Sequence, residues 1–298
     1  MPINFSTSSA IFRWRPACWL RITGADALIF LQGQFSNDLR ALPAAGGVYG
    51  LWLSLKGRVI ADSFVLSGSV PGEFWVGSYF SAALVIRERL ESHIIADDVT
   101  VEDVTGEWAG ITILGAGVVH SREGTTDGAV VFRGRRDGGE SAECVYRIAA
   151  GEPVWAEAWD GRQVSAVDML RFRIAARIPA VPVDVGPADL PNEAGLEKDA
   201  ISYMKGCYLG QEVMARLKSM GQVRRRLLPV AGLGDVPATL PSGLFAGGRA
   251  VGELRSAVAK ASGGWSGLAM LSLLHITAET KLALAADGAA EIGVLDTP

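Results

Sequence analysis

The chain has 298 residues, of which 49% are hydrophobic and 20% are charged, and its formal net charge is −4. This length allows two or three compact units, and the hydrophobic content excludes an intrinsically disordered chain. The acidic balance argues against a protein devoted to nucleic acid, although it leaves room for a local basic patch.

Three cysteines, Cys18, Cys144 and Cys207, lie far apart and form no Cys-x-x-Cys pair. An odd number of separated cysteines excludes a disulfide framework and fits a reducing compartment. It also excludes a complete cysteine-rich metal or iron–sulfur site within one chain, which would need about four ligands. The longest uncharged stretches, 41–55 and 261–278, are broken by glycines and other polar residues, so no membrane span is predicted.

The pattern of the first two thirds of the chain predicts short strands that alternate with helices. Residues 23–26 (TGAD) have the form of a capping box that opens a helix. A meander follows, and Asp62 stands in the middle of its second strand. An acid in an otherwise apolar strand either faces solvent or is buried for a specific role, and the position alone favours solvent. The next helix begins at Ser81 and is predicted to turn its charged side chains, including Arg89, towards water.

The rest of the chain divides near residue 222. Further strands are predicted near 111–114, 129–132 and 145–149, with a solvated connection from 121 to 143. A second capping box at 165–168 (SAVD) opens a helix, and four prolines between 179 and 191 then impose an extended course. Beyond 222, short apolar runs lack a helical period and predict a small all-β unit. We therefore expect an α+β region over 1–222 and a separate domain over 223–298.

Residues 205–212 (KGCYLGQE) concentrate reactive side chains directly before a predicted helix. Gly206 and Gly210 flank Cys207 and allow a tight turn. We expect Cys207 to lie on a turn that leads to the helix N-terminus. The positive end of the helix and the ammonium of Lys205 would then favour the thiolate over the thiol. The alternative, a glycine turn with a small buried cysteine as filler, stays open on these observations.

Five sets of residues carry a resemblance to a known family: 22–26 with 30–34 and 37–38, 56–58 with Asp62, 191–196, 205–212, and 251–256 with 267–269. On these segments the chain resembles the folate-binding YgfZ family, whose mitochondrial relatives are iron–sulfur assembly factors of the Iba57 type. That family is a branch of the fold shared with the aminomethyltransferase (T-protein) of glycine cleavage. KGCYLGQE is its most specific hallmark, and it matches here in full.

The resemblance implies an α+β fold of three domains in a ring. Two interleaved α+β domains would form the folate-binding region, with a C-terminal β-barrel and a folate site at the central channel. It also implies tetrahydrofolate as ligand and a role in making or repairing iron–sulfur proteins, including those that modify tRNA. The hallmark cysteine and lysine would carry over to Cys207 and Lys205 as the catalytic pair.

Departures from the transferase pattern leave catalysis open. The aminomethyltransferases carry paired aspartates where this chain has Ala61 and Asp62, and their Thr-Gly-Glu-x-Gly segment has no counterpart near Glu143. The alternatives to an assembly factor are a tetrahydrofolate-dependent aminomethyltransferase or demethylase, and an RNA-binding module that uses the basic run 216–226. The second alternative predicts salt-sensitive tRNA contact.

A folate site needs walls for the flat pterin, a polar partner for its ring nitrogens and cations for its glutamate tail. Asp62 and Glu193 are the candidate carboxylates, and the basic run 216–226 is the candidate for the tail. The remaining predicted contacts are Trp19, Tyr208 and Gln211, and Trp52 and Met169 are further candidates for the apolar walls. Partners are expected to be folate and iron–sulfur client or assembly proteins. The expected compartment is the cytoplasm, or the mitochondrial matrix in a eukaryotic source.

Overall fold

The computed structural model describes residues 9–40, 42, 46–115, 124–126, 128–277 and 279–296. The strands are β1 (Ala10–Trp14), β2 (Cys18–Thr23), β3 (Gly47–Leu53), β4 (Val59–Ser67), β5 (Glu73–Ser78), β6 (Thr100–Asp103), β7 (Trp108–Leu114), β8 (Gly124–Thr126), β9 (Ala129–Arg133), β10 (Ser141–Arg147), β11 (Arg162–Gln163), β12 (Arg225–Gly232), β13 (Ser242–Ala246), β14 (Arg249–Ala259), β15 (Trp265–Ser272), β16 (Lys281–Leu282) and β17 (Ile292–Val294). The helices are α1 (Ala27–Gln34), α2 (Ala83–Glu91), α3 (Val154–Glu157), α4 (Ala166–Ala175) and α5 (Gln211–Met220).

The first two sheets are interleaved along the chain. Strands β2 to β6 form an antiparallel sheet in the order β3-β4-β5-β2-β6. Strand β1 precedes this sheet in sequence but belongs to the second one, whose order is β11-β1-β7-β10-β9-β8. The chain therefore starts in one α+β unit, completes the other and returns, and we propose these two units as the interleaved domains of residues 1–222.

Aromatic side chains join the two sheets. One face of the first sheet is covered by α1 and α2, through residues such as Leu31 and Ile86. Because side chains alternate along a strand, β2 directs Trp19 to the opposite face. There Trp19 packs against Trp108 and Phe132 of the second sheet. Burying such side chains stabilises the fold by roughly 1.5–3 kcal/mol each and fixes the two sheets against one another.

The third sheet is a nearly closed barrel. Its strand order is β13-β14-β15-β12-β17-β16. Phe245 and Ala283 exchange backbone hydrogen bonds of 2.9 and 2.8 Å, which bring the two edges of the sheet together. Trp265 and Leu254 lie in the barrel core. This architecture confirms the predicted all-β unit, and we retain 1–222 and 223–298 as the proposed domain division.

Several local predictions can be compared with the structure. The capping box at Ser165 is formed, with the Asp168 amide donating to the Ser165 hydroxyl over 3.1 Å. The capping box predicted at 23–26 is absent: Asp26 instead accepts from the Asp98 amide over 2.8 Å. The prediction that Arg89 faces water is also wrong, since only 8% of it is exposed. No helix in the described part of the chain is long and apolar enough to cross a bilayer.

Candidate functional site

A cavity of about 520 Å³ lies where the three sheets meet. The first sheet contributes Tyr49 and Asp62, the second contributes Phe12, and the barrel strand β14 contributes Ser256. Helix α4 and the segment after it close a further side with apolar residues such as Met169. The cavity therefore depends on the whole ring of domains and belongs to none of them alone.

Asp62 is held inside this cavity by three hydroxyl groups. Ser78 and Ser81 donate to Oδ1 over 2.8 and 2.7 Å, and the Tyr49 hydroxyl donates to Oδ2 over 3.0 Å. Only 5% of Asp62 is exposed, and burial raises its pKa, although the three hydroxyls oppose that shift. The expectation that Asp62 faces solvent is therefore wrong. A buried carboxylate held by hydroxyl groups is suited to accept hydrogen bonds from a ligand.

A second buried carboxylate stands behind the cavity wall. Glu143 is fully buried and accepts from the Tyr79 hydroxyl and from Thr112, each over 2.7 Å. Burial raises its pKa, and the nearby guanidinium of Arg136 opposes the shift. The predicted solvated connection 121–143 is therefore wrong at its end, where Ser141 to Glu143 belong to β10 and are buried. Residues 121–123 and 127 of that connection lie outside the described part of the chain.

Arg136 is the most constrained cation of the cavity wall. Its guanidinium lies 3.7 Å from the centre of the Tyr79 ring and 4.5 Å from that of Trp14. Nε is 3.4 Å from Glu143, but both Nε and Nη2 are buried without a hydrogen-bond partner among the described residues. Buried donors without partners are costly, so this wall retains capacity for an acceptor.

Three further arginines line the same cavity. Arg135 lies over the Tyr49 ring at 4.4 Å and donates to Asp199 over 2.9 Å. Arg173 on α4 forms an ion pair with the fully buried Asp184 and donates to the Ser256 hydroxyl over 2.8 Å. Arg255 completes the set from the barrel. Aromatic rings and guanidinium groups therefore surround the buried Asp62, which makes the cavity amphipathic.

Cys207 lies outside the cavity, on the turn that precedes α5. Gly210, with φ of +86°, caps the helix, and a side chain at this position would meet the Ser54 carbonyl at 2.7 Å. The glycine therefore lets the turn approach the β3–β4 connection. Cys207 is exposed, whereas Cys18 and Cys144 are buried. The predicted turn before a helix is confirmed, and the buried-filler alternative is wrong.

Lys205 anchors this turn to the end of α1. Its ammonium donates to the backbone carbonyls of Gln32 and Phe35, each over 2.6 Å, and of Asn37 over 2.9 Å. Burial lowers the pKa of Lys205 to about 8. An ammonium has three N–H groups, and all three are engaged here. The structure therefore leaves no Lys205 donor for a Cys207 thiolate, and the lysine holds the turn instead.

Asn37 connects this anchor with the cavity. Its carbonyl accepts from Lys205, while its side-chain amide donates to the Tyr49 carbonyl over 2.8 Å and to the Asp199 carbonyl over 2.9 Å. Tyr49 in turn donates to Asp62. Three residues, Lys205, Asn37 and Tyr49, thus connect the exposed turn with the buried carboxylate through side-chain and backbone hydrogen bonds.

Four of the predicted folate contacts lie away from the cavity. Glu193 is buried beneath Arg225, which donates to its two carboxylate oxygens over 3.1 and 3.0 Å. Gln211 accepts from the Tyr208 amide over 3.3 Å at the start of α5, and the Tyr208 ring lies 5.1 Å from the Lys205 ammonium. Trp19 belongs to the aromatic core between the sheets. None of the four lines the cavity.

The basic run 216–226 does not reach the cavity either, where Arg135, Arg136, Arg173 and Arg255 are the lining cations. These arginines were missed, as were Tyr79 and Glu143. One signal was available: Glu143 is a lone acid within an apolar strand, in the same setting as Asp62.

Two family descriptions match parts of the chain. Residues 7–123 match the GCVT N-terminal domain, and residues 224–293 match the CAF17 C-terminal beta-barrel domain. A glycine cleavage system aminomethyltransferase T from Bartonella henselae has a similar structure, with a TM-score of 0.79 and 15% identity, covering 97% of this chain and 85% of that one. At this identity the likeness establishes the fold alone, and it agrees with the predicted three-domain ring.

Two curated relatives cover nearly the whole chain. The human mitochondrial iron–sulfur cluster assembly factor IBA57 is 31% identical, across 93% of this chain and 83% of its own length. The mouse protein of the same name is 30% identical, across 91% of this chain and 82% of its own length.

Proposed function

Because the chain belongs to the IBA57 family, we propose that it is a folate-binding factor of iron–sulfur cluster assembly or repair. Cys207 carries the thiol chemistry, and the central cavity holds the folate. The observation that carries the proposal is the exposure of Cys207 on an anchored turn, when the other two cysteines are buried. A rigid, accessible thiol suits delivery to a partner.

The residues of the cavity fit a folate. The Asp62 carboxylate is an acceptor for the N–H groups of a pterin, and Tyr49, Tyr79 and Phe12 are aromatic walls for a flat ring. The Arg136 nitrogens that lack a hydrogen-bond partner are available to donate to an acceptor of the ligand, such as a ring carbonyl or a carboxylate. Tetrahydrofolate supplies a carrier for a one-carbon unit when it is bound. In this proposal the cavity binds and orients that carrier and excludes water from it.

Cys207 contributes one sulfur ligand to an iron–sulfur cluster in transit. Iron–sulfur clusters are generally held by four cysteine thiolates. A single exposed thiol cannot complete that set, so the other ligands come from a partner protein or a small thiol. Lys205 is the positioning residue in this scheme, since its three hydrogen bonds fix the turn that bears Cys207.

The transferase alternative receives less support. Ala61 occupies the place of the first aspartate of the transferase pair, and it is fully buried in the apolar core beneath α1 and α2. A carboxylate there would lie among apolar side chains, on the face of β4 opposite to Asp62. Binding of folate without transfer fits this arrangement better.

The proposal extends to the clients of the protein and to its compartment. Iron–sulfur enzymes that modify tRNA are among the proposed clients. The two curated relatives are mitochondrial proteins by name. For this chain we propose the reducing compartment of its source cell, the cytoplasm in a bacterium or the mitochondrial matrix in a eukaryote, in line with its unpaired cysteines.

A complementation assay tests the iron–sulfur role. In cells that lack this protein, activities of several iron–sulfur enzymes are compared with those of cluster-free enzymes, after return of wild-type, Cys207→Ser or Cys144→Ala protein. We expect wild type and Cys144→Ala to restore the iron–sulfur enzymes selectively and Cys207→Ser to fail. Restoration by Cys207→Ser to the wild-type level would overturn the proposed role of the thiol.

A further inference from the structure

Positive charge is concentrated beside Cys207 in an otherwise acidic protein. Between residues 205 and 226 the chain has six of its 28 basic residues and one of its 32 acidic residues. The rest of the chain therefore carries 22 basic and 31 acidic residues. Such segregation creates a local positive potential on a molecule whose net charge is −4.

Most of this charge is free to meet a partner. Lys205 is engaged by backbone carbonyls, and Arg225 pairs with Asp189 and Glu193. The other four cations of the segment are exposed, and none forms an ion pair with another described residue, although Lys218 makes a cation–π contact with Tyr203; they are Arg216, Lys218, Arg224 and Arg226. Exposed Lys56 joins them, since its turn contacts Gly210 at the start of α5.

Two exposed apolar side chains lie next to this segment, one before Lys205 in the chain and one on the contacting turn. Met204, three residues before Cys207, is 87% exposed, and Leu55, next to Lys56 on the contacting turn, is 76% exposed. Methionine and arginine are enriched in protein–protein interfaces, where an apolar centre is surrounded by a polar rim. The only aromatic residue between 205 and 226 is Tyr208, and it is buried. The Lys218 ammonium lies 4.3 Å from the centre of the nearby Tyr203 ring and covers it, so neither ring is the open stacking platform that single-stranded nucleic acid uses.

We propose that this surface, which spans α5 from Arg216 on one flank to Lys218 on the other and includes Leu55, Lys56 and Met204, docks an acidic protein partner over Cys207. The proposal rests on the proposed function, because it names the kind of partner that the thiol serves. Complementary charge would raise the rate of encounter and fix the orientation of the partner, and the apolar pair would contribute the contact centre.

The first experiment measures the potential at Cys207. Labelling rates with anionic iodoacetate and neutral iodoacetamide are compared in the folded chain, whose other two cysteines are buried. The ratio of the two rates should fall severalfold between about 0.01 M and 1 M salt, as the Debye length shrinks from about 30 Å to about 3 Å. At low salt, the ratio should be lower in R216E/K218E than in wild type by a similar factor. It should stay at the wild-type value in R249E/K260E, which carries the same change in net charge. A ratio independent of salt and of both variants would overturn the proposal.

The second experiment separates a protein partner from RNA. The probes are an acidic peptide of Glu and Leu residues and a single-stranded RNA with the same number of negative charges. We expect the peptide to protect Cys207 from iodoacetamide more strongly than the RNA does. Met204→Ser should remove that advantage, and R216E/K218E should remove protection by either probe. Equal or stronger protection by RNA, or no protection by the peptide, contradicts a protein-docking surface.

The two proposals can fail separately. Protection of Cys207 by the peptide measures docking and requires no cluster chemistry. If Cys207→Ser restores iron–sulfur enzymes but the peptide still protects Cys207, the assembly role of the thiol fails and the docking surface stands. If the peptide gives no protection while Cys207→Ser is inactive, the docking surface fails and the thiol retains its role.

Discussion

The cavity and the Cys207 turn differ in almost every physical respect. The cavity encloses the buried carboxylate of Asp62 among aromatic rings and arginines from all three sheets. The turn exposes a thiol on one short segment, held by a lysine that donates to three carbonyls. Enclosed, charged and aromatic walls suit ligand binding, whereas an exposed nucleophile suits contact with another protein.

This difference suggests that ligand binding and thiol chemistry are separable properties. They are joined through Asn37, which contacts both Lys205 and Tyr49. A change on either side should therefore leave the other side nearly intact, and only a change to the connection should affect both. The predictions below test that separation.

The largest expected effect is the loss of iron–sulfur function in Cys207→Ser, with no loss of folding or folate affinity. Cys207 is exposed and makes no recorded hydrogen bond among the described residues, so the free energy of unfolding should change by less than about 0.5 kcal/mol. Denaturant unfolding and the complementation assay measure the two properties. A variant that unfolds more easily would show that the thiol has a structural role.

Asp62→Asn should have the second largest effect, and it should act on the cavity alone. Loss of the charge is expected to lower folate affinity by roughly tenfold to a hundredfold, the range for a hydrogen bond to a charged group. Stability at neutral pH should not fall, because asparagine still accepts from Ser78 and Ser81 and a buried charge is removed. Asp62→Ala is the contrasting variant: it leaves those hydroxyls without an acceptor and should lower stability by about 1–3 kcal/mol.

The stability of wild type relative to Asp62→Asn should depend on pH, and the direction follows from the pKa shift of the Asp62 carboxyl group. Burial raises the pKa of Asp62 above the usual value of 3.8, so the folded state keeps a proton that the unfolded state releases. The free energy of unfolding of wild type, relative to Asp62→Asn, should therefore fall as pH rises from about 3.8 through the folded pKa. Denaturation series across this pH range measure the difference. A relative stability that rises with pH would contradict the burial of an ionisable Asp62.

Lys205→Met should destabilise the turn. Three backbone carbonyls lose their donor, which is expected to cost about 3 kcal/mol in unfolding free energy. Because the pKa of Lys205 is lowered from 10.5 to about 8, the unfolded state binds more protons between these values. Wild type should therefore gain stability relative to Lys205→Met as pH rises from about 8 to 10.5. Urea unfolding at several pH values across this window checks both the magnitude and the sign.

The smallest effect on function is expected for Asn37→Ala, which should slightly weaken both folate binding in the cavity and the position of the Cys207 turn. The variant loses side-chain hydrogen bonds to the Tyr49 and Asp199 carbonyls, a cost of about 1–2 kcal/mol. We expect a small decrease in folate affinity together with a measurable change in the rate of Cys207 labelling. A change in only one of the two would show that Asn37 does not connect them.

Local features were predictable from the sequence because their causes are local. The glycines around Cys207 predicted its turn. The Ser165 capping box was predictable because its donor and acceptor are three residues apart. The irregular apolar runs after 222 predicted the barrel region. The family resemblance supplied the ring of domains, which no single pattern in the chain indicates.

The cavity was predicted at Asp62, with the wrong exposure, and at the apolar wall residue Met169. Its walls come from residues as distant as Phe12, Arg136 and Ser256, and interleaving brings them together. Sequence spacing carries no information about such contacts. Sequence spacing also does not show why Glu193 lies away from the cavity: its carboxylate is paired with Arg225, which lies 32 positions away in the chain.

Tetrahydrofolate titration of wild type, Cys207→Ala and Asp62→Asn tests the central claim most directly. Tryptophan fluorescence is a suitable signal, since Trp14 lies against the cavity residues Tyr79 and Arg136. We predict saturable binding with nearly equal affinity in wild type and Cys207→Ala, and binding weakened by at least about tenfold in Asp62→Asn. Binding lost in Cys207→Ala but kept in Asp62→Asn, or absent from all three proteins, would contradict it.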